Sequence, residues 1–325
     1  MSSPKPVQRI AIVGTGTIGA SWAAHYLAHG FDVTATDPAP GAEAALRSYV
    51  EGAWDGVTKL GLAPGASTDR LKFTSDLPAA LTDADFVQEN GPERPELKVK
   101  LFADIDDATP PEAIIASSSS GITMSEIQVQ CRRPERTVIG HPFNPPHVIP
   151  LVEVVGGKKT SPETIRDAMA FYASVGKKPI LLKKELRGHV ANRIQSALYR
   201  EVVYLIGEGV LDVADADDAV SWGPGLRWGV MGPNLLWHLG GGQGGIQHFM
   251  DTLDAPHGRR VARVGQSRAH PGASATDRQG RSRRGARPVD RRTRRPARPD
   301  AVRPDRRARQ AGITQRPECM RRQRC

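Results

Sequence analysis

Apolar residues along the chain fall into short continuous runs that alternate with longer stretches of helical spacing. RIAIV (9–13) reads as a short buried strand. GTGTIG (14–19) follows at once. ASWAAHYLAHG (20–30) then places Trp22, Ala23, Tyr26 and Leu27 near helical spacing, and Gly30 suits a helix C-terminus. FDVTATD (31–37) is a second strand. The alternation continues with a helix over 40–61, a strand over 84–90, a helix over 93–106 and a strand over 113–117. A short helix (124–128), strands over 136–141 and 151–155, a helix over 161–176 and a strand over 178–183 complete it. Strands alternating with helices predict an α/β fold with a doubly wound, mostly parallel sheet of Rossmann type. Past Gly188 the strand signal stops, and the spacing predicts a long helix over 190–210 and a shorter one over 214–223. The expected organisation is an α/β domain over 1–187, a smaller all-helical domain over 188–256, and a distinct tail over 257–325.

Composition changes this picture only at the tail. The 325 residues are 39% hydrophobic and 25% charged, ordinary globular usage with enough chain for a sizeable core. No apolar run approaches the roughly 20 residues of a membrane span. The short polar N-terminus before Ile10 is unlike a secretory signal. Cys131, Cys319 and Cys325 have no spacing that suits a disulfide framework or a zinc site. These features predict a cytoplasmic protein with no membrane partner and no metal. The net charge of +10 averages two unlike pieces, because residues 257–325 hold 22 Arg, no Lys and 5 acids, whereas residues 1–256 carry −7. The tail has no Leu, Phe, Trp or Tyr and is expected to be disordered. It reads best as a shifted reading frame of a GC-rich gene, which would leave the helical domain incomplete. A nucleic-acid-binding tail is the weaker reading, since it lacks the aromatic residues that stack on bases.

The chemistry begins at Gly14-Thr15-Gly16-Thr17-Ile18-Gly19. The first glycine allows a tight turn, the second lets backbone approach a pyrophosphate, and the third lets helix and strand pack closely. A lone GxGxxG is weak, but here strand, helix and the acidic end of the next strand, Asp37, stand in a βαβ unit of about 30 residues. The helix N-terminus would face the phosphates. Asp37 would accept hydrogen bonds from ribose hydroxyls and repel a 2′-phosphate, which favours NAD over NADP. SSSSGIT (117–123) alone is a low-complexity loop, yet it follows a strand at the edge where doubly wound sheets bind ligands. His141 likewise ends a strand and is a candidate for acid–base work. Glu153, inside LVEVV, needs a partner if buried; His141 would supply one, as would an Arg or Lys.

Gly14–Gly19, Ser120, His141-Pro-Phe-Asn144-Pro, LVEV (151–154) and Val190-Ala-Asn192-Arg193 come in the order and spacing of the 3-hydroxyacyl-CoA dehydrogenase family, which residues 8–256 resemble. The resemblance implies NAD-dependent oxidation of an L-3-hydroxy group to a 3-oxo group, by a protein that dimerises through its helical domain. It implies that His141 is the general base and Glu153 its orienting carboxylate, with Ser120 and Asn192 on the substrate oxygens. It places Asn144 on the nicotinamide side, and Glu93 and Lys98 near the cofactor.

Two departures bear on substrate. The segment 223–250, with Arg227-Trp228 and a Gly cluster, is more similar to the branch that oxidises small free acids, the carnitine and gulonate 3-dehydrogenases. Arg227 is a candidate partner for a substrate carboxylate, with a surface role as the alternative. The helix after Asp37 has only Arg47 as a cation over 41–57, where acyl-CoA members are Lys-rich. His189 stands where the family usually has Phe. The expected substrate is therefore an acyl-CoA or a free 3-hydroxy acid. The rival reading is a cofactor-binding protein without turnover, disabled by its altered C-terminus.

Overall fold

A computed structural model describes residues 7–254, so the disorder, the shifted reading frame and the nucleic-acid binding considered for residues 257–325 lie outside the described residues. Its α/β part contains β1 (Arg9–Val13), α1 (Thr17–Ala28), β2 (Asp32–Thr36), α2 (Ala42–Leu60), β3 (Leu71–Thr74), α3 (Leu77–Leu81), β4 (Phe86–Glu89), α4 (Pro95–Ala108), β5 (Ile114–Ser117), α5 (Met124–Ile127), β6 (Thr137–Pro142), β7 (Leu151–Val155), α6 (Pro162–Ser174) and β8 (Lys178–Leu181). The strands form one sheet in the order β3-β2-β1-β4-β5-β6-β7-β8. Every neighbouring pair is parallel except β6 and β7, which run antiparallel with His141 opposite Glu153.

The apolar runs follow from burial on both faces of this sheet. Ile10 and Ile12 of β1 join Val33, Ala35, Tyr26 and Tyr172 on one face. Ala11 and Val13 join Phe102, Ile115, Ile127 and Ile139 on the other. Helix α1 is buried along its whole length from Gly19 to Ala28. Beyond its first turn it has no solvent-exposed face, and its buried Ser21 and His25 are hydrogen-bonded. Helix α2 is amphipathic, turning Leu46, Val50 and Val57 inward.

Five elements exceed the sequence expectation. β3 and α3 lie in 71–81, where no element is expected. β3 is a four-residue edge strand with Lys72 exposed, too short and too polar for a period-2 signal to stand out. The helical part contains α7 (Ala191–Gly207) and α8 (Val213–Trp222), as expected, and then α9 (Pro224–Trp228), α10 (Pro233–Gly240) and α11 (Gly245–Phe249). Proline opens α9 and α10 at their first turn, a position its missing N–H suits. The Gly cluster at 240–245 is the break between α10 and α11.

Candidate active site

Parallel strands bring the carboxyl ends of β1, β4, β5 and β6 to one edge. The order reverses direction between β1 and β4, the position where such sheets bind ligands. The glycine turn after β1 is built for close backbone approach. Gly14 has φ +85°, and a Cβ there would meet the Asn90 backbone at 2.9 Å. A Cβ on Gly19 would lie 1.9 Å from the Gly14 carbonyl oxygen, so the third glycine is a packing requirement. Gly16 instead faces open space. As N-cap of α1 it offers no side chain to the free N–H groups, which leaves the first turn, with Thr17 and Ile18, open to an anion. These features fit a dinucleotide pyrophosphate. Asp37 stands at the expected position. Its Oδ2 accepts from the Thr15 N–H at 2.8 Å and the Thr15 hydroxyl at 3.2 Å, and its Oδ1 from the Ala39 N–H at 2.9 Å. These bonds hold the carboxylate beside the glycine turn.

A cavity of about 440 Å³ opens at the strand ends, lined among others by Ile18, Glu93, Lys98, Ser120, His141, Asn144 and Asn192. Residues from five separate sequence segments thus meet at one wall. Arg227 is not part of that wall; it sits on α9. Gln195, one turn beyond Asn192 on α7, joins the lining, and sequence spacing did not single it out.

His141 and Glu153 touch. Nδ1 of His141 lies 2.9 Å from Oε2 of Glu153, both side chains buried. The carboxylate accepts the Nδ1 proton, which leaves Nε2 as the basic nitrogen. The other Glu153 oxygen accepts from the backbone N–H of Val190 at 2.8 Å and of Ala191 at 3.0 Å, at the start of α7. Burial alone would oppose ionisation of Glu153. The bonds from His141, Ala191 and Val190 outweigh it and hold the carboxyl below its ordinary range.

A group depressed in this way contributes stability that is complete above the unfolded-state value and is lost as pH falls through the folded one. Thermal stability should therefore decline on acidification below the ordinary carboxylate range, and Glu153→Gln should remove part of that slope. The same variant should lower turnover by roughly two to four powers of ten, since a Gln can hold the Val190 and Ala191 N–H groups but cannot stabilise an imidazolium. A Tm series against pH and steady-state rates would check both. Native-like turnover in the variant would remove Glu153 from the reaction.

Glu93 and Lys98 brace the serine loop. Oε1 of Glu93 accepts from the Ser119 hydroxyl at 2.7 Å, the Gly121 N–H at 2.7 Å and the Ile122 N–H at 3.3 Å. Lys98 Nζ is buried against Glu89, at 2.8 and 3.1 Å, and donates to the Gly91 carbonyl at 3.1 Å. Glu89 also accepts from the Ser117 hydroxyl at 2.6 Å. The sequence reading missed Glu89, although it is a carboxylate in an apolar strand, the same signal that marked Glu153.

His189 lies behind His141, their rings 5.0 Å apart. It is buried at φ +47°, with Nε2 donating to the Ser119 carbonyl at 2.9 Å. Burial lowers its pKa, which favours the neutral ring beside His141. Burial likewise pushes the Cys131 thiol up to about 12, which leaves it inert.

The chain matches two families of known sequences. Residues 9–186 match the 3-hydroxyacyl-CoA dehydrogenase, NAD binding domain, and residues 188–274 match the C-terminal domain of the same enzymes. It is 50% identical to L-carnitine dehydrogenase of Streptomyces coelicolor over 266 residues, covering 81% of this chain and 84% of that one. It is 49% identical to L-carnitine dehydrogenase of Bacillus cereus over 247 residues, 76% of each. Among solved structures it resembles 5-formyl-3-hydroxy-2-methylpyridine 4-carboxylic acid 5-dehydrogenase, an NAD+-dependent dismutase. That likeness has a TM-score of 0.73 and 32% identity, over 86% of this chain and 96% of that one.

Proposed function

Because the chain belongs to the 3-hydroxyacyl-CoA dehydrogenase family, whose members are NAD-dependent dehydrogenases acting on a CH–OH group, we propose that its own substrate is a small free L-3-hydroxy acid of the L-carnitine kind. The observation that carries the reaction is the His141–Glu153 pair, buried at 2.9 Å at the wall of the cavity. Bound NAD supplies the acceptor for the hydride that leaves C3. His141 Nε2 takes the hydroxyl proton as the carbonyl forms, and Glu153 stabilises the imidazolium. Ser120 and Asn192 hydrogen-bond the substrate oxygens. Asn144 contacts the nicotinamide side, and Asp37 selects the cofactor by repelling a 2′-phosphate.

The free-acid reading is supported by the S. coelicolor and B. cereus relatives and by α2. That helix carries three acids against two cations. Arg47 bonds Glu43 at 2.9 and 2.8 Å, and Lys59 bonds Asp55 at 2.5 Å. Such a surface gives the phosphates of CoA little attraction. Two measurements test the reading. NADH should bind more tightly than NADPH, and equal affinity would remove Asp37 as selector. NADH-dependent reduction of 3-dehydrocarnitine should then exceed that of acetoacetyl-CoA. The reverse order would make this an acyl-CoA enzyme, and NADH binding without reduction of either would favour the cofactor-binding protein.

The protein is read as a cytoplasmic homodimer. No helix among the described residues is long and apolar enough to cross a membrane. The helical part leaves Ile194, Trp222, Leu226, Val230 and Leu239 exposed, and no residue of α7 is fully buried. An apolar surface of this kind fits a second copy of the chain. Sedimentation should give twice the monomer mass, and Ile194→Glu should shift it towards monomer.

A further inference from the structure

Lys177 is a buried cation that the proton chemistry does not use. It sits in the turn between α6 and β8, 7% exposed, and among the described residues no carboxylate pairs with it. Its Nζ donates to the Pro146 carbonyl and, at 3.3 Å, to the Ile149 carbonyl. It lies 5.1 Å from the centroid of the Trp22 ring, within cation–π reach. Burial lowers its pKa to about 8, the mark of a charge that its surroundings do not neutralise. Placing such a group costs folding energy, so its contacts point to what it holds.

Both carbonyls belong to the loop 143–150, which joins β6 to β7 and begins with Phe143 and Asn144. The other face of the contact is α1, the helix that follows the glycine turn. Ser21, the neighbour of Trp22, grips the same loop. Its hydroxyl accepts from the His147 N–H at 3.0 Å and shares a 2.7 Å hydrogen bond with His147 Nδ1. Trp22 Nε1 donates to the Ser118 hydroxyl at 3.3 Å. His25, one turn further along α1, donates from Nε2 to the Val175 carbonyl at 2.9 Å and so fixes the turn that carries Lys177. One helix thus binds the asparagine loop, the serine loop and the lysine turn.

We propose that Lys177, seated on Trp22, is a positioning residue for the nicotinamide end of the cofactor, pinning the 143–150 loop and with it Asn144 to the dinucleotide helix. This rests on the reading of Asn144 as a nicotinamide-side contact. The adenosine half of the cofactor is held elsewhere, by the glycine turn and Asp37. Lys177 should therefore matter for one end of the dinucleotide and not for the other.

ADP-ribose separates the two ends, because it keeps the adenosine, pyrophosphate and second ribose but lacks the nicotinamide. The full-length protein is titrated with NADH and with ADP-ribose, as the native chain and as Lys177→Met, Lys177→Arg and Ser21→Ala. Native protein should bind NADH more tightly than ADP-ribose. Lys177→Met should weaken NADH by about tenfold and change ADP-ribose by no more than about twofold, the pattern expected when pre-organisation of one contact is lost. Lys177→Arg should restore part of the margin, since a guanidinium can stack on Trp22 and donate to both carbonyls. Ser21→Ala should lose part of the margin, and it carries the test if the methionine variant does not fold. A margin left intact in Lys177→Met, or in Ser21→Ala where the former is lost to misfolding, would overturn the proposal. So would equal weakening of both ligands, which is what a merely structural lysine would give. If native protein shows no margin at all, the Asn144 reading itself fails and takes the proposal with it.

Discussion

Replacing His141 by asparagine should lower turnover by roughly three powers of ten while NADH binding survives. Asparagine occupies less space and has no nitrogen that takes a proton, so the hydroxyl proton has no acceptor as hydride leaves. The glycine turn and Asp37, proposed to hold the cofactor, lie at the ends of other strands, and Asp37 bonds Thr15 and Ala39 while His141 bonds Glu153. Glu153 keeps the N–H groups of Val190 and Ala191, so the fold should also survive. The comparison to make is steady-state rate with the preferred 3-oxo acid beside an NADH titration of the same preparation. A rate within about tenfold of native would mean that another group moves the proton. Loss of NADH binding together with rate would mean that the substitution had disturbed the sheet edge and not the chemistry.

The largest effect on stability should come from Asp106, which does not line the cavity. Its side chain is fully buried at the end of α4. Oδ1 accepts from Arg136 Nε at 3.0 Å and Nη2 at 2.8 Å, while Oδ2 accepts from the N–H groups of Arg132 at 2.7 Å and Arg133 at 2.9 Å. Arg136 is itself buried and immediately precedes β6, the strand that carries His141. Burial raises the pKa of Asp106, but the bonds from Arg133, Arg136 and Arg132 outweigh it and hold the carboxyl ionised. Asp106→Ala would leave a desolvated guanidinium without its counter-charge, a loss of about 3–5 kcal/mol. For a domain of this size that corresponds to a fall in Tm of roughly 10 °C. The double variant Asp106→Ala/Arg136→Met should recover much of the loss, because a buried pair replaced by apolar side chains is close to neutral. A change of only a degree or so in the single variant would show that the bonds seen here contribute little net stability.

Much of this architecture can be read in the chain, for identifiable reasons. Strands buried on both faces appear as unbroken apolar runs, so β1, β5 and β7 are plain. β3 is not, because an edge strand with an exposed Lys72 carries half the signal. The direction of β7 is invisible to periodicity, which is the same for a strand run either way. His141 and Glu153 stand out because a polar group within an apolar strand asks for an explanation. Glu89 sends the same signal inside ADFVQEN. Lys177 sends none, as one of two adjacent lysines after a glycine; only the fold separates it from the exposed Lys178. Arg227, attractive as a cation in an unusual segment, is not brought to the cavity wall because α9 places it elsewhere.

The antiparallel pairing of β6 with β7 separates two kinds of change open to this enzyme. His141 and Glu153 face each other across adjacent strands, so their contact is fixed by ladder hydrogen bonds and not by the residues that connect them in sequence. Changes among residues 145–150, the part of the connection that does not line the cavity, can then be accommodated without moving Glu153 away from His141. A shift of β7 by a single residue would have the opposite character. It would turn Glu153 to the other face of the sheet and end catalysis in one step, with the loop untouched.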